Sequence, residues 1–80
     1  MLNRIAAIQH QIWSHWMKHL FEVSVQNEDG SVTIPASKVN RWKRQMNTNY
    51  NALPDSEKLS DIEQAIKIIA EIDAAKAAEN

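Results

Sequence analysis

The amino-acid sequence begins with a long stretch whose apolar residues recur three or four positions apart. This spacing places them on one face of an α-helix that runs from Leu2 to about Phe21. The stripe consists of Leu2, Ile5, Ile8, Ile12, Trp16 and Leu20, and it is widened by Trp13, Met17 and Phe21. It covers more than half of the circumference, whereas a surface helix needs only about 100°. We therefore expect the first helix to lie between two other elements or in a subunit contact.

The period changes after the first helix. Residues 21–25 and 32–34 alternate apolar and polar side chains, which is typical of short strands. Between them lies Asn27-Glu28-Asp29-Gly30, a run of turn-forming residues in which glycine can adopt a positive φ. The sequence predicts a short β-hairpin at this position.

Two further helices are predicted, each opened by a proline. Pro35 is suited to an early position in a helix that runs to about Met46, with Val39, Trp42 and Met46 on one face. Pro54 opens the last helix, and Glu63 and Lys67 are spaced to pair on its exposed side. Its apolar stripe consists of Leu59, Ile62, Ile66, Ile69 and Ile72.

The combined pattern predicts a mainly α fold. It is a compact three-helix domain over residues 1–73, with a short β-hairpin between helices 1 and 2. The apolar stripe ends at Ala74, so we expect residues 74–80 to form a frayed C-terminal tail.

The cations are concentrated on the second helix. The chain has a formal net charge of −1, yet residues 31–54 contain only basic charges: Lys38, Arg41, Lys43 and Arg44. Lys38, Arg41 and Arg44 share one arc of the helix, and Tyr50 follows in the next loop. Arginine is suited to binding phosphate and an aromatic ring to stacking on a base, so these residues could bind an anionic aromatic ligand. Alternatively, they form a solvated face that balances the acidic last helix.

Composition excludes several classes of protein. At 80 residues the chain supplies one domain, and without cysteine it has neither disulfides nor thiolate chemistry. With one glycine it has no Gly-rich phosphate loop, and no nucleophile lies beside a base. We therefore predict a non-enzymatic protein without catalytic residues or cofactor. Polar residues interrupt the apolar start, so we expect a cytoplasmic protein without a signal peptide or membrane span.

The histidines raise the question of a metal site. His15, His19 and Glu22 have i, i+4, i+7 spacing and could converge on one ion, but the sequence offers neither a fourth ligand nor a second shell. We expect no metal and interpret His19 as a partly buried imidazole. His10 and Trp13 lie on adjacent arcs of the first helix, where they are either packing residues or ligand contacts.

Two short motifs resemble the ryanodine-receptor repeat, or RyR domain. His10-Gln11-Ile12-Trp13 is similar to the His-x-x-Trp near the start of that repeat. Tyr50-x-x-Leu53-Pro54-x-x-Glu57-Lys58, followed by Asp61, is similar to its second signature. The family's Gly-Trp and Tyr-Gly elements are absent here, and the segment with Gly30 takes their place. The resemblance implies a mostly helical module without catalytic residues, related to stand-alone bacterial and phage proteins that bind nucleotide-like small ligands. The short cysteine-free chain is also similar in style to phage or prophage accessory proteins.

Three functions are consistent with these patterns. The first is an RyR-like module that binds an anionic, nucleotide-like small molecule through Lys38, Arg41, Arg44, Tyr50, His10 and Trp13. The second is a module that binds a protein partner or a second copy through the apolar first helix and the off-stripe Ile68. The third is a DNA-binding regulator, which we rank last because a hairpin, not a helix, precedes the second helix.

Overall fold

The computed structural model of the protein describes residues 1–78. Three helices are present: α1 (Leu2–Val23), α2 (Ala36–Met46) and α3 (Asp55–Ala78). Strands β1 (Val25–Gln26) and β2 (Val32–Thr33) separate α1 from α2, and a 3-10 turn at Tyr50–Ala52 precedes α3. The fold is 77% helical, which confirms the predicted three helices with one hairpin between the first two.

Prolines mark the starts of α2 and α3, as predicted. The carbonyl of Pro35 accepts hydrogen bonds from the backbone N–H groups of Lys38 and Val39 at 3.0 and 3.1 Å. The carbonyl of Pro54 accepts from Glu57 and Lys58, both at 3.0 Å. A proline suits this position because its missing N–H would have no partner within the helix.

The hairpin is antiparallel, with Val25 opposite Thr33 and Gln26 opposite Val32. In its turn the Asp29 carboxylate accepts hydrogen bonds from the backbone N–H of Ser31 at 3.0 Å and from its hydroxyl at 2.6 Å. The hydroxyl bond, followed by the backbone bond, lowers the pKa of Asp29 below its ordinary value. Gly30 has a φ of +90°, so the predicted requirement for glycine is confirmed by the backbone conformation.

Helices α1 and α3 form an antiparallel pair that carries most of the helix contacts. Arg4 near the start of α1 forms an ion pair with Glu71 near the end of α3. Among residues 1–78, only Glu57, Gln64 and Ala75 are buried, and all three belong to α3. The face that α3 buries is therefore polar and small, and large apolar side chains contribute to it only by half-burial, as Ile68 and Ile72 do.

The apolar stripe predicted for α3 points away from this buried face. Leu59, Ile62, Ile66 and Ile69 are between 42% and 59% exposed. They lie on the opposite side of the helix from Gln64 and Ala75, because a helix turns 100° per residue. Ile72 alone of the stripe is half-buried. The predicted pairing of Glu63 with Lys67 is also replaced, since Lys67 Nζ donates to Gln64 Oε1 at 2.8 Å.

Two further expectations differ from the structure. Met46 is 82% exposed and does not pack beside Val39 and Trp42, which are half-buried. Helix α3 continues through residues 74–78, where a frayed tail was expected, and Ala75 is only 4% exposed. Alanine is the strongest helix former, so the helix continues after the large apolar residues end. Residues 79 and 80 of that predicted tail lie outside the described residues.

The molecule is elongated and thin, with extents of 53 × 34 × 16 Å and a radius of gyration of 16.3 Å. Within the described chain, none of the helices combines the length and the apolar character needed to cross a membrane.

Candidate ligand groove

A groove of about 720 Å³ lies between the second half of α1, the inner side of α2 and the first turns of α3. We call it the α2 groove. Its large aromatic lining residues are Trp16, Trp42 and Tyr50, with His19 beside Trp16, and its charged ones are Lys38, Arg41, Glu57 and Asp61. It therefore combines flat apolar surfaces with both signs of charge.

The three aromatic side chains reach the groove from three different elements. Trp16 on α1 is flanked by the rings of His15 and His19, whose centroids lie 4.8 and 6.1 Å away in edge-on arrangements. Trp42 on α2 is half-buried. Tyr50 is 46% exposed, and the Lys58 ammonium lies 5.9 Å from its ring centroid. Each ring is fixed by its own element while part of its surface remains accessible.

Glu57 connects the start of α3 to α2. Its Oε2 accepts a hydrogen bond from Arg44 Nη2 at 2.5 Å and lies 3.9 Å from Arg41 Nε. Charge-assisted contacts of this kind are the strong ones, and this one joins two helices that otherwise share few contacts. Arg44 therefore has a structural contact that the sequence did not reveal, since it was expected either on a ligand-binding arc or on a solvated face.

The electrostatic state of Glu57 follows from these contacts. The hydrogen bond from Arg44 lowers the pKa of Glu57 below its ordinary value, and burial opposes this effect. Gln45 and the charges of Arg44 and Arg41 act in the same direction as the hydrogen bond. The second carboxylate oxygen, Oε1, is buried and has no hydrogen-bond partner among residues 1–78. Glu57 is thus an ionised carboxylate that borders the groove and keeps one buried acceptor atom without a partner among the described residues.

The structure separates the predicted site residues into three groups. Lys38, Arg41 and Tyr50 line the groove together. Arg44 is not among the lining residues and is held by Glu57. His10 and Trp13 stack on each other, with ring centroids 5.7 Å apart and planes inclined by 20°, and they too lie outside the groove lining. The six residues therefore do not form a single site.

Three groove residues were missed as site candidates. Trp16 and Trp42 were assigned to packing faces, because an apolar stripe does not show which of its members border a groove. Glu57 was noted only as an acid in the first turn of α3. Arg41 and Arg44 share one arc of α2, but the sequence does not show that Glu57 faces them, so no sequence signal identified this contact.

The histidines do not gather into a metal site. Among residues 1–78, no group of three or more metal-ligating side chains lies close enough to hold an ion. His15 and His19 instead border the Trp16 ring, and His19 is half-buried, as the sequence predicted.

The two motifs behind the resemblance occupy different places. Four residues of the second motif, Tyr50, Leu53, Glu57 and Asp61, line the α2 groove, whereas His10 and Trp13 of the first do not. The resemblance itself stays a prediction from these residues. No family model, curated protein or solved structure matches this chain.

Proposed function

We propose that the protein is a non-enzymatic binding module whose α2 groove takes a small ligand with a planar aromatic group and an anionic group, such as a nucleotide. The observation that carries this proposal is the lining: Trp16, Trp42 and Tyr50 share one groove with Lys38 and Arg41. The groove volume of about 720 Å³ falls within the range of small-molecule sites, about 300–1,000 Å³.

The aromatic rings supply the recognition of a planar group. Stacking of a base on an aromatic side chain is worth about 1–3 kcal/mol and tolerates different bases. The ligand's ring contacts Trp42 from α2 and Trp16 from α1, and Tyr50 closes the end of the groove toward α3. This arrangement explains why three aromatic residues stay half-exposed on so short a chain.

The cations on α2 receive the anionic group. Arg41 is 50% exposed, and its nearest contact to Glu57 is loose at 3.9 Å, so most of its guanidinium N–H groups remain free to donate. Arginine matches the geometry of phosphate, and Lys38 adds a second charge from the preceding turn. Arg44 acts indirectly, because it neutralises Glu57 and so prevents that carboxylate from repelling the ligand.

Glu57 favours a ligand whose planar group carries a hydrogen-bond donor, at the end opposite the anionic group. Its Oε1 is a buried acceptor without a partner among the described residues. A ligand N–H that meets Oε1 after the Glu57 side chain turns toward the groove gains a charge-assisted hydrogen bond. A base with an exocyclic amino group meets this requirement. A ligand without a donor does not, and Asp61 on the α3 side of the groove disfavours a second anionic group there.

The test is a calorimetric titration of a nucleotide panel against wild type and two matched variants. Lys38→Gln combined with Arg41→Gln removes both groove cations, and we expect it to weaken nucleotide binding by more than about a hundredfold. Lys43→Gln, an exposed position of α2 outside the groove lining, is the control and should leave the affinity unchanged. Equal affinities in the two variants would refute the assignment of the groove.

The role of Glu57 is tested with a matched ligand pair. Adenosine monophosphate carries an amino group on its base, and purine riboside monophosphate lacks it. We expect the first to bind about tenfold more tightly, because the second leaves the buried oxygen without a donor. The same affinity for both ligands would remove Glu57 from the proposed contacts.

Two other outcomes lead to other functions. Binding of duplex DNA alone, with an affinity that falls steeply with salt, would favour the DNA-binding regulator. Absence of any nucleotide or DNA binding would favour protein interaction, for which Trp13 and Phe21 on α1, 55% and 53% exposed, are the supporting observation. A phage or prophage origin stays a prediction of the resemblance, and the neighbouring genes are its test.

A further inference from the structure

The outer side of α3 carries a continuous apolar surface that nothing in the described chain covers. It consists of Leu59, Ile62, Ile66 and Ile69, which we call the outer stripe. We propose that the outer stripe binds the outer stripe of a second copy of this chain, so that the protein is a two-fold homodimer in which α3 lies between α1 and the partner's α3.

The surface area of the single chain is the first argument for a second copy. Its accessible surface is 6270 Å², whereas a compact monomer of 9.2 kDa exposes about 4,900 Å². Its radius of gyration is 16.3 Å, against about 12 Å for a compact chain of this length. The chain therefore exposes a surplus of about 1,300 Å² relative to a compact monomer of its mass.

This surplus is of the size that a stable dimer requires. Two copies that each lost all of it would bury about 2,600 Å² in total, and obligate homodimers bury about 2,000–5,000 Å². The outer stripe supplies the apolar centre of such a contact and only part of its area. The described chain contains only one buried apolar residue, Ala75, so it gains little stability from its own core. A second copy supplies the missing burial.

The spacing of the outer stripe is the second argument. Its members follow each other at intervals of three, four and three residues, which is the spacing of the contact positions of a two-helix coiled coil. The stripe is about 15 Å long. It contains no charge that would select a different partner, and a uniform apolar surface is self-complementary across a two-fold axis. Asp55 and Asp73 lie on the same arc at its two ends, and the other charged and polar residues of α3 lie beside it or on the α1 side.

The outer stripe and the α2 groove do not overlap. None of the four stripe residues lines the groove, which α3 borders through Glu57, Ser60 and Asp61. Dimer formation therefore leaves the groove open, and this inference stands or fails independently of the proposed ligand.

The experiment compares two double variants by sedimentation velocity. Ile62→Gln with Ile66→Gln removes apolar surface from the outer stripe, and Trp13→Gln with Phe21→Gln removes side chains of similar exposure from α1. We expect wild type and the α1 variant to sediment with twice the chain mass of 9.2 kDa. The α3 variant should raise the dimer dissociation constant by more than about a thousandfold, since both copies lose two apolar contacts.

Two measurements keep the proposal testable if the α3 variant does not fold. The melting temperature of wild type should rise with protein concentration, because dissociation accompanies unfolding. The chain has no cysteine of its own, so Ile66→Cys can be cross-linked selectively with a short bis-maleimide, and we expect a covalent dimer. Phe21→Cys should stay monomeric in the same reaction.

Several results would overturn the proposal. Wild type that sediments at 9.2 kDa with a concentration-independent melting temperature has no dimer. A dimer that survives in the α3 variant but is lost in the α1 variant, or cross-linking through Phe21→Cys and not through Ile66→Cys, would place the interface on α1.

Discussion

At the scale of single residues, Glu57 links the packing of the helices to the chemistry of the groove. One carboxylate oxygen holds Arg44 and lies near Arg41, and the other is buried without a hydrogen-bond partner in the described chain. The sequence analysis offered two interpretations of both arginines, a ligand-binding arc or a solvated face of α2. The pairing could not be seen in the sequence, because it joins residues 13 positions apart through a turn whose geometry the sequence does not fix.

The pKa shift of Glu57 predicts a dependence of stability on pH. Its folded pKa is lowered from 4.5, so the ion pair stabilises the folded chain above that pH, and this stability is lost as the pH falls through the folded value. Asp29, lowered from 3.8 in the hairpin turn, acts in the same direction at lower pH. We expect the free energy of unfolding, measured with urea, to decrease from pH 5 to pH 3.

The contribution of Glu57 is isolated by substitution. Glu57→Gln should make this decrease shallower, because the remaining side chain cannot ionise. Glu63→Gln changes an acid on the exposed side of α3 and serves as the control with the wild-type slope. If the free energy of unfolding decreases equally steeply with falling pH in both variants, Glu57 is not responsible for the loss of stability in acid.

At the scale of elements, α3 has two faces, and the sequence could not show which one packs on α1. Periodicity and the prolines located all three helices and the hairpin, because helix formation depends on local spacing and capping. The choice of face depends on what the neighbouring helix offers. Ile68 and Ile72 lie on the α1 side with Gln64 and Ala75, whereas the more apolar outer stripe is left exposed. Ile68, a partner-contact candidate in the protein-interaction hypothesis, is thus half-buried on the side of α3 that faces α1.

The end of α3 offers a direct test of its packing. Ala75 is 4% exposed and the adjacent Ala74 is exposed, so these neighbours have the same helix propensity but different surroundings. Ala75→Leu should lower the free energy of unfolding by about 1–3 kcal/mol, because the larger side chain does not fit against α1. Ala74→Leu should change it by less than about 0.5 kcal/mol. Chemical denaturation measures both, and equal small effects would indicate the frayed tail that the sequence predicted.

At the scale of the whole molecule, the helices are unequally supported. Helices α1 and α3 share most of the helix contacts, whereas α2 is attached mainly through the Glu57 contacts and the groove lining. The number and order of elements followed from the sequence, but the open arrangement did not, because helical stripes do not encode how widely the helices are spaced.

This unequal support predicts a gradient of hydrogen exchange. Backbone amides of α2 and the hairpin should exchange faster than those in the middle of α1 and α3, since local opening is easiest where few contacts must break. Mass spectrometry of deuterium uptake, resolved to peptides, measures this difference. A nucleotide that binds the α2 groove should slow exchange in α2 selectively. Uniform protection of all three helices would contradict the distinction between a well-supported α1–α3 pair and a weakly attached α2.

The thinness of the molecule also affects how its stability depends on temperature. A molecule only 16 Å thick buries little apolar surface, so unfolding one isolated chain exposes little additional apolar surface to water. Its heat-capacity increment per residue falls below the usual value of about 12–15 cal/mol/K, and its stability curve is correspondingly flat. In the proposed dimer, covering the outer stripe would raise the heat-capacity increment toward that value and make the stability curve more strongly curved, so stability would depend more steeply on temperature in the dimer than in the single chain.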